Sequence, residues 1–138
     1  MAHKFIIERN TQNLKAVRDF VNRTLTSMSV PDSDIAMMVL AVDEVCANRM
    51  LHSPTRVMPN DIELEIKNDQ GKLTFVIRDT GDLYDINAHH EPDIKQLIAD
   101  KRKGGIGLLL VKKIMDTIEI SRSEPYTVLL LHKSVNMA

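Results

Sequence analysis

The spacing of hydrophobic residues changes along the chain, and each change marks an element. From Lys4 to Glu8 the run Phe5-Ile6-Ile7 predicts a first strand. Leu14, Val17, Phe20, Val21 and Leu25 then recur at steps of three and four, which predicts a helix that Asn10 or Thr11 can cap. Pro31 and the Asp32-Ser33-Asp34 cluster end it and open a second helix, with acidic residues where the positive end of a helix dipole favours them. Within that helix Ile35, Met38, Val39, Val42, Val45 and Cys46 gather into one apolar stripe able to lie on a core. Ser53-Pro54 stops it after His52, because proline disfavours helical geometry in the residue before it.

From Asp61 to Lys67 the period falls to two: Ile62, Leu64 and Ile66 face one way, Asp61, Glu63, Glu65 and Lys67 the other. Asn68-Asp69-Gln70-Gly71 supplies a turn, and Leu73, Phe75 and Ile77 continue the alternation, which predicts an antiparallel hairpin running into Asp79-Thr80-Gly81. Residues 82 to 103 are polar and end in Lys101-Arg102-Lys103. A connection of that length is usually a functional flap or holds a short helix, here 93 to 102. Gly104-Gly105-Ile106-Gly107 leads into an amphipathic helix from Leu108 to Met115, and 118–121 and 126–131 read as two closing strands. Strands and helices that do not alternate singly predict an α+β fold: a two-layer sandwich whose mixed, mainly antiparallel sheet is covered by helices on one face and wet on the other. Residues 1–138 read as a single domain.

Composition narrows the classes. Charges nearly cancel, 18 basic against 19 acidic, so no broad electrostatic hold on nucleic acid is expected. No apolar run approaches the roughly 18 residues of a membrane span, and the first residues carry charge inside their only apolar run, unlike an export signal. A cytoplasmic protein is expected, without nucleic-acid or membrane partners. The single cysteine, Cys46, excludes an intrachain disulfide framework and lies on the apolar stripe.

Candidate chemistry begins with Glu44 and Asn48, one helical turn apart on the side away from that stripe, with His52 a further turn along. A solvated helix face is the ordinary outcome for such a pair. The sharper reading is a metal and phosphate site, since an amide oxygen is a hard donor suited to magnesium and a carboxylate one turn away can accept a proton. Of the five glycines, four lie in Asp79-Thr80-Gly81 and Gly104-Gly105-Ile106-Gly107, a concentration that asks for a reason. Neither stretch is a dinucleotide fingerprint or a Gly-Lys-Ser/Thr phosphate loop. A glycine-rich segment that opens a helix nevertheless offers free backbone N–H groups to an anion. Asp79, at a strand end, can accept from an exocyclic amine, and Gly81 lets a flat base approach the backbone.

Taken in order, Glu44-xxx-Asn48-xxx-His52, Asp79-x-Gly81 with Tyr84-Asp85, and Gly104-Gly105-x-Gly107-Leu108 resemble the ATP-binding domain shared by gyrase, the large heat-shock chaperone, histidine kinases and MutL. Within this GHKL superfamily the chain looks most like the bacterial anti-sigma factor serine/threonine kinases. Histidine kinases usually carry lysine three residues after the asparagine; here Leu51 stands there, and His52 at the next position follows the anti-sigma kinase pattern.

The resemblance implies ATP and Mg2+ as cofactors, with Asn48 the metal ligand and Glu44 the catalytic base that polarises an acceptor serine or threonine. It implies Asp79 as the reader of the adenine amine, Gly81 beneath the ring and Thr127 along the adenine pocket. Gly104, Gly105, Ile106, Gly107 and Leu108 would hold phosphates, with Lys103 a basic lid residue near the terminal phosphate. It implies a partner-switching kinase that phosphorylates a small STAS-domain anti-sigma factor antagonist and sequesters a sigma factor or similar regulator. A homodimer is compatible with that role, though the sequence defines no interface. The alternative is a nucleotide-dependent protein-binding module without kinase activity. One departure stands out: Arg49 occupies a position where relatives commonly have alanine, near the apolar stripe, so its stem is expected to snorkel or the helix end to be displaced.

Overall fold

The computed structural model describes residues 3–52, 61–81 and 105–136. Period-two alternation builds the sheet. In β2 (Asp61–Asp69) and β3 (Lys72–Asp79), Ile62, Leu64, Ile66, Leu73, Phe75 and Ile77 are buried on one face. Gln70 and Gly71 join the strands with φ of 52° and 90°, the left-handed pair that matches the twist of a tight hairpin. The Gly71 amide donates to Asn68 Oδ1 at 2.9 Å. β1 (His3–Glu8) pairs along β2, while β5 (Tyr126–Ser134) inserts between β3 and β4 (Thr117–Ser123). The order is β1-β2-β3-β5-β4, and every described pairing is antiparallel.

Among the described residues three helices occupy the other layer: α1 (Leu14–Ser27), α2 (Asp32–His52) and α3 (Gly105–Ile114). A single 3-10 turn, Thr11–Asn13, precedes α1, and Asn10 caps it by accepting from the Gln12 amide at 2.9 Å. α2 packs between α1 and α3. Val17, Val21 and Leu25 of α1, Ile35, Met38, Val42 and Val45 of α2 and Val111 of α3 share one core with Phe75, Leu129 and Leu131 of the sheet. Phe5 of β1 stacks on Phe20 of α1 with ring centroids 4.9 Å apart, fastening the edge strand to the helical layer. The opposite face of the sheet is polar: Arg78 bonds Glu63 at 2.8 Å and lies over the Tyr126 ring, and Lys4 pairs with Glu63 at 3.5 Å. The expected two-layer α+β sandwich is the observed one. No helix among the described residues is long and apolar enough to cross a membrane.

One boundary and one helix surface differ from expectation. α3 begins at Gly105 rather than Leu108, so the glycines form its first turn and not a loop before it. α2 carries apolar residues well beyond the predicted stripe: α1 and α3 flank it, it shares the core with the sheet, and Met37, Leu40 and Leu51 are exposed on its outer side. The helix expected over 93–102 lies outside the described residues.

Ile77 is fully buried beside the strand end that carries Asp79. Ile77→Val is expected to cost about 0.5–1.5 kcal/mol, through lost transfer energy and a methyl-sized void, read as a lower urea midpoint at unchanged slope.

Candidate active site

The C-terminal half of α2 lies over the ends of the central strands, and this is where the polar residues of the core collect. Asn48 is only 7% exposed and Glu44 is half-buried. Neither side chain makes a hydrogen bond or an ion pair among the described residues. At one turn's separation their Cβ atoms are roughly 5–6 Å apart. Desolvation raises the Glu44 carboxyl above its ordinary pKa, and neighbouring Asp43 adds to the rise. An acid that costs extra to ionise, beside a nearly buried carboxamide with no internal partner, suits a proton acceptor beside a ligand-facing amide.

Asp79 ends β3 and is 1% exposed. Its Oδ1 accepts from the Gly81 amide two residues on, at 2.6 Å, which folds Asp79-Thr80-Gly81 back on itself. Antiparallel pairing sets Thr127 of β5 directly opposite Asp79, and Arg122 of β4 opposite Thr127. The Thr127 hydroxyl donates to the Gly81 carbonyl at 2.8 Å. Arg122 Nη1 donates to the same carbonyl at 2.9 Å and to Thr127 Oγ1 at 2.7 Å. Asp79, Gly81 and Thr127, separate in sequence, therefore form one hydrogen-bonded unit.

Arg49 joins that unit from α2. Its Nε donates to Asp79 Oδ2 at 2.8 Å and its Nη2 to Asp79 Oδ1 at 2.7 Å, a bidentate fork, and the residue is 1% exposed. Arg9, just past β1, brings a second guanidinium to 3.4 Å from Asp79 Oδ1 and donates to the Arg49 carbonyl. Burial lowers the Arg9 pKa; Asp79 opposes that shift and Arg49 adds to it. Neither expectation for Arg49 holds: the stem does not snorkel and α2 continues to His52, because the guanidinium finds a carboxylate inside the protein.

Gly105 and Gly107 fall in the first turn of α3, and the first turn of any helix leaves amides without intrahelical partners, the kind of group that suits an anion. The side chains of Ile106 and Leu108, and all of Lys103 and Gly104, lie outside the described residues. Cys46 is fully buried, and burial pushes its thiol pKa up to about 12, as befits a core residue. His52 closes α2.

The model of the histidine kinase-like ATPase domain matches residues 7–133. The chain belongs to that family. Its relatives include the serine-protein kinase RsbW of Bacillus velezensis, 23% identical over 116 residues that make up 81% of this chain and 72% of the relative. RsbW of Bacillus cereus is 28% identical over 101 residues, 70% of this chain and 62% of that protein. A crystal structure of the RsbU and RsbW domains of a Mycobacterium tuberculosis protein superposes with a TM-score of 0.70 at 15% identity. It covers 98% of this chain, which spans 32% of that longer one, and it shows the shared fold.

The family implies ATP, and the residues present fit a nucleotide-borne cation. Among the described residues no three His, Cys, Asp or Glu side chains converge as a cation cage. Magnesium that arrives on phosphates and keeps water needs few protein ligands, and the carboxamide of Asn48 is a hard oxygen donor without a partner among the described residues. The sequence patterns single out neither Arg122 nor Arg9. Arg122 shares the inward phase of Ile118 and Ile120 on β4, which was the available signal; Arg9 carries none until β1 is placed beside β2.

Proposed function

We propose that the chain is an ATP-dependent serine/threonine protein kinase that phosphorylates a small STAS-domain antagonist in a partner-switching system and binds a sigma factor or analogous regulator. The observation that carries the reading is half-buried Glu44 beside buried Asn48, both without side-chain partners among the described residues, in a chain of the ATPase family similar to the RsbW serine-protein kinases. When bound, Mg-ATP supplies a phosphoryl group whose charge the cation partly neutralises. Glu44 takes the proton of the attacking hydroxyl, Asn48 offers its amide oxygen to the cation, and Asp79 with Gly81 and Thr127 receives the adenine. The first turn of α3 holds phosphate through its amides, with Lys103 and Gly104 preceding it. Most of the rate then comes from positioning and charge neutralisation.

The test pairs the purified chain with the STAS-domain protein encoded nearest to it, in magnesium and γ-labelled ATP. An acid-stable label on that partner supports a serine or threonine acceptor. An acid-labile label or none would contradict it.

A pH dependence follows from Glu44. The base works only when ionised, and its pKa is raised by desolvation and Asp43. The acid limb of kcat/KM is expected to lie above the roughly 4.3 of an ordinary glutamate. The same raised pKa works the other way on stability: its contribution is full below the unfolded-state pKa and is lost as pH rises through the folded-state pKa. Activity should therefore rise over the interval in which this one group's contribution to stability declines, which initial rates and urea midpoints across pH would show together.

A further inference from the structure

Asp79 is asked to read an exocyclic amine, yet in this structure its acceptor capacity is nearly spent. Arg49 takes one direction on each carboxylate oxygen, the Gly81 amide takes a second on Oδ1, and Arg9 stands 3.4 Å from that same atom. A carboxylate offers about four lone-pair directions, so one on Oδ2 remains. That direction is sealed from solvent, since the Asp79 side chain is 0% and the Arg49 side chain 1% exposed. With the guanidinium seated, the carboxylate presents no acceptor direction to solvent.

We infer that Arg49 is a specificity-determining residue of the nucleotide site: it holds the Asp79 carboxylate in the free chain, and an amine-bearing base engages Asp79 only after the guanidinium withdraws. The inference rests on the nucleotide-binding reading above and deepens it. Two consequences follow. Apparent affinity for ATP is lowered by the small fraction of molecules in which Asp79 is open. Discrimination between bases is also blunted, because a site rejects an analogue strongly only when its own polar group is available and would be left unpaired. Inosine triphosphate is the informative probe: it keeps the triphosphate and purine frame but presents a carbonyl where ATP presents an amine, and a released carboxylate repels that carbonyl.

The experiment is a calorimetric titration of the full chain with Mg-ATP and with Mg-ITP, in the wild type, Arg49→Ala and Arg49→Lys. Arg49→Ala is expected to bind Mg-ATP at least tenfold tighter than wild type and to widen the preference for ATP over ITP at least tenfold. Arg49→Lys, which keeps the charge but loses the fork, should fall between. Equal gains for both nucleotides, or no gain for ATP, would overturn the inference. If the alanine variant does not fold, the wild type supplies the answer through the Arg49 Nε–H signal in a 1H-15N spectrum, assigned by its loss in Arg49→Lys. That proton should lose its exchange protection when Mg-ATP saturates the chain, and unchanged protection sinks the idea. Wild-type ATP binding with an inert Arg49 removes this inference alone, whereas no triphosphate binding in any variant removes the nucleotide reading with it.

Discussion

Glu44→Gln is expected to lower phosphoryl transfer to a protein acceptor by about 10²–10⁴-fold, the usual contribution of a positioned general base, while leaving Mg-ATP affinity within a few-fold of wild type. The substitution keeps the shape of the side chain and the turn of α2, and it leaves Asn48 untouched. Only the capacity to accept a proton is lost. The half-buried acid makes no ion pair among the described residues whose removal would disturb the fold. Single-turnover transfer from labelled ATP, run beside calorimetry on the same preparation, separates the two quantities. Full activity in the variant would remove Glu44 from the chemistry. Unchanged binding together with intact partner switching and no transfer in the wild type would favour the non-catalytic module.

Asp79→Ala is expected to destabilise the chain by about 3–5 kcal/mol, the range for deleting one partner of a buried charge pair. Here the deletion takes a shared carboxylate, fully shielded from solvent, away from two guanidiniums, those of Arg9 and Arg49. It also takes the acceptor from the Gly81 amide. Against a typical total of roughly 5–15 kcal/mol, such a loss brings the domain close to unfolding at ordinary temperature. Asp79→Asn should cost less, because a carboxamide oxygen still accepts from one guanidinium and from Gly81. Urea titration of both variants checks the ranking, and a loss below about 1 kcal/mol in Asp79→Ala would mean that the cluster does not hold α2 to the sheet.

Much of this was legible in the sequence, and the parts that were not share a cause. Alternation in 61–67 and 73–77 has a period that a half-buried strand alone satisfies, so the central hairpin followed from residue order. The stripe on α2 was equally plain, and its members are buried or partly buried. The polar row of Glu44 and Asn48 was placed correctly along the helix, but its burial was not foreseen, since a helical wheel describes one contact face and α2 is also flanked by α1 and α3. Arg49 stands out in the sequence as a charge near an apolar stripe, while Asp79, which it grips, lies 30 residues away at a strand end. Pairings such as Arg49 with Asp79, or Arg122 with Gly81 and Thr127, depend on strand order, which local periodicity does not encode.

The most direct measurement is the backbone 1H-15N spectrum of the labelled chain, titrated with the magnesium complex of a non-hydrolysable ATP analogue. The account predicts saturable shifts concentrated at Glu44 to Asn48, Thr80 to Gly81, the first turn of α3 and Thr127, with the outer sheet residues Glu63, Val76 and Glu119 unmoved. A spectrum that does not change at millimolar nucleotide, or shifts confined to the outer face of the sheet, would contradict it.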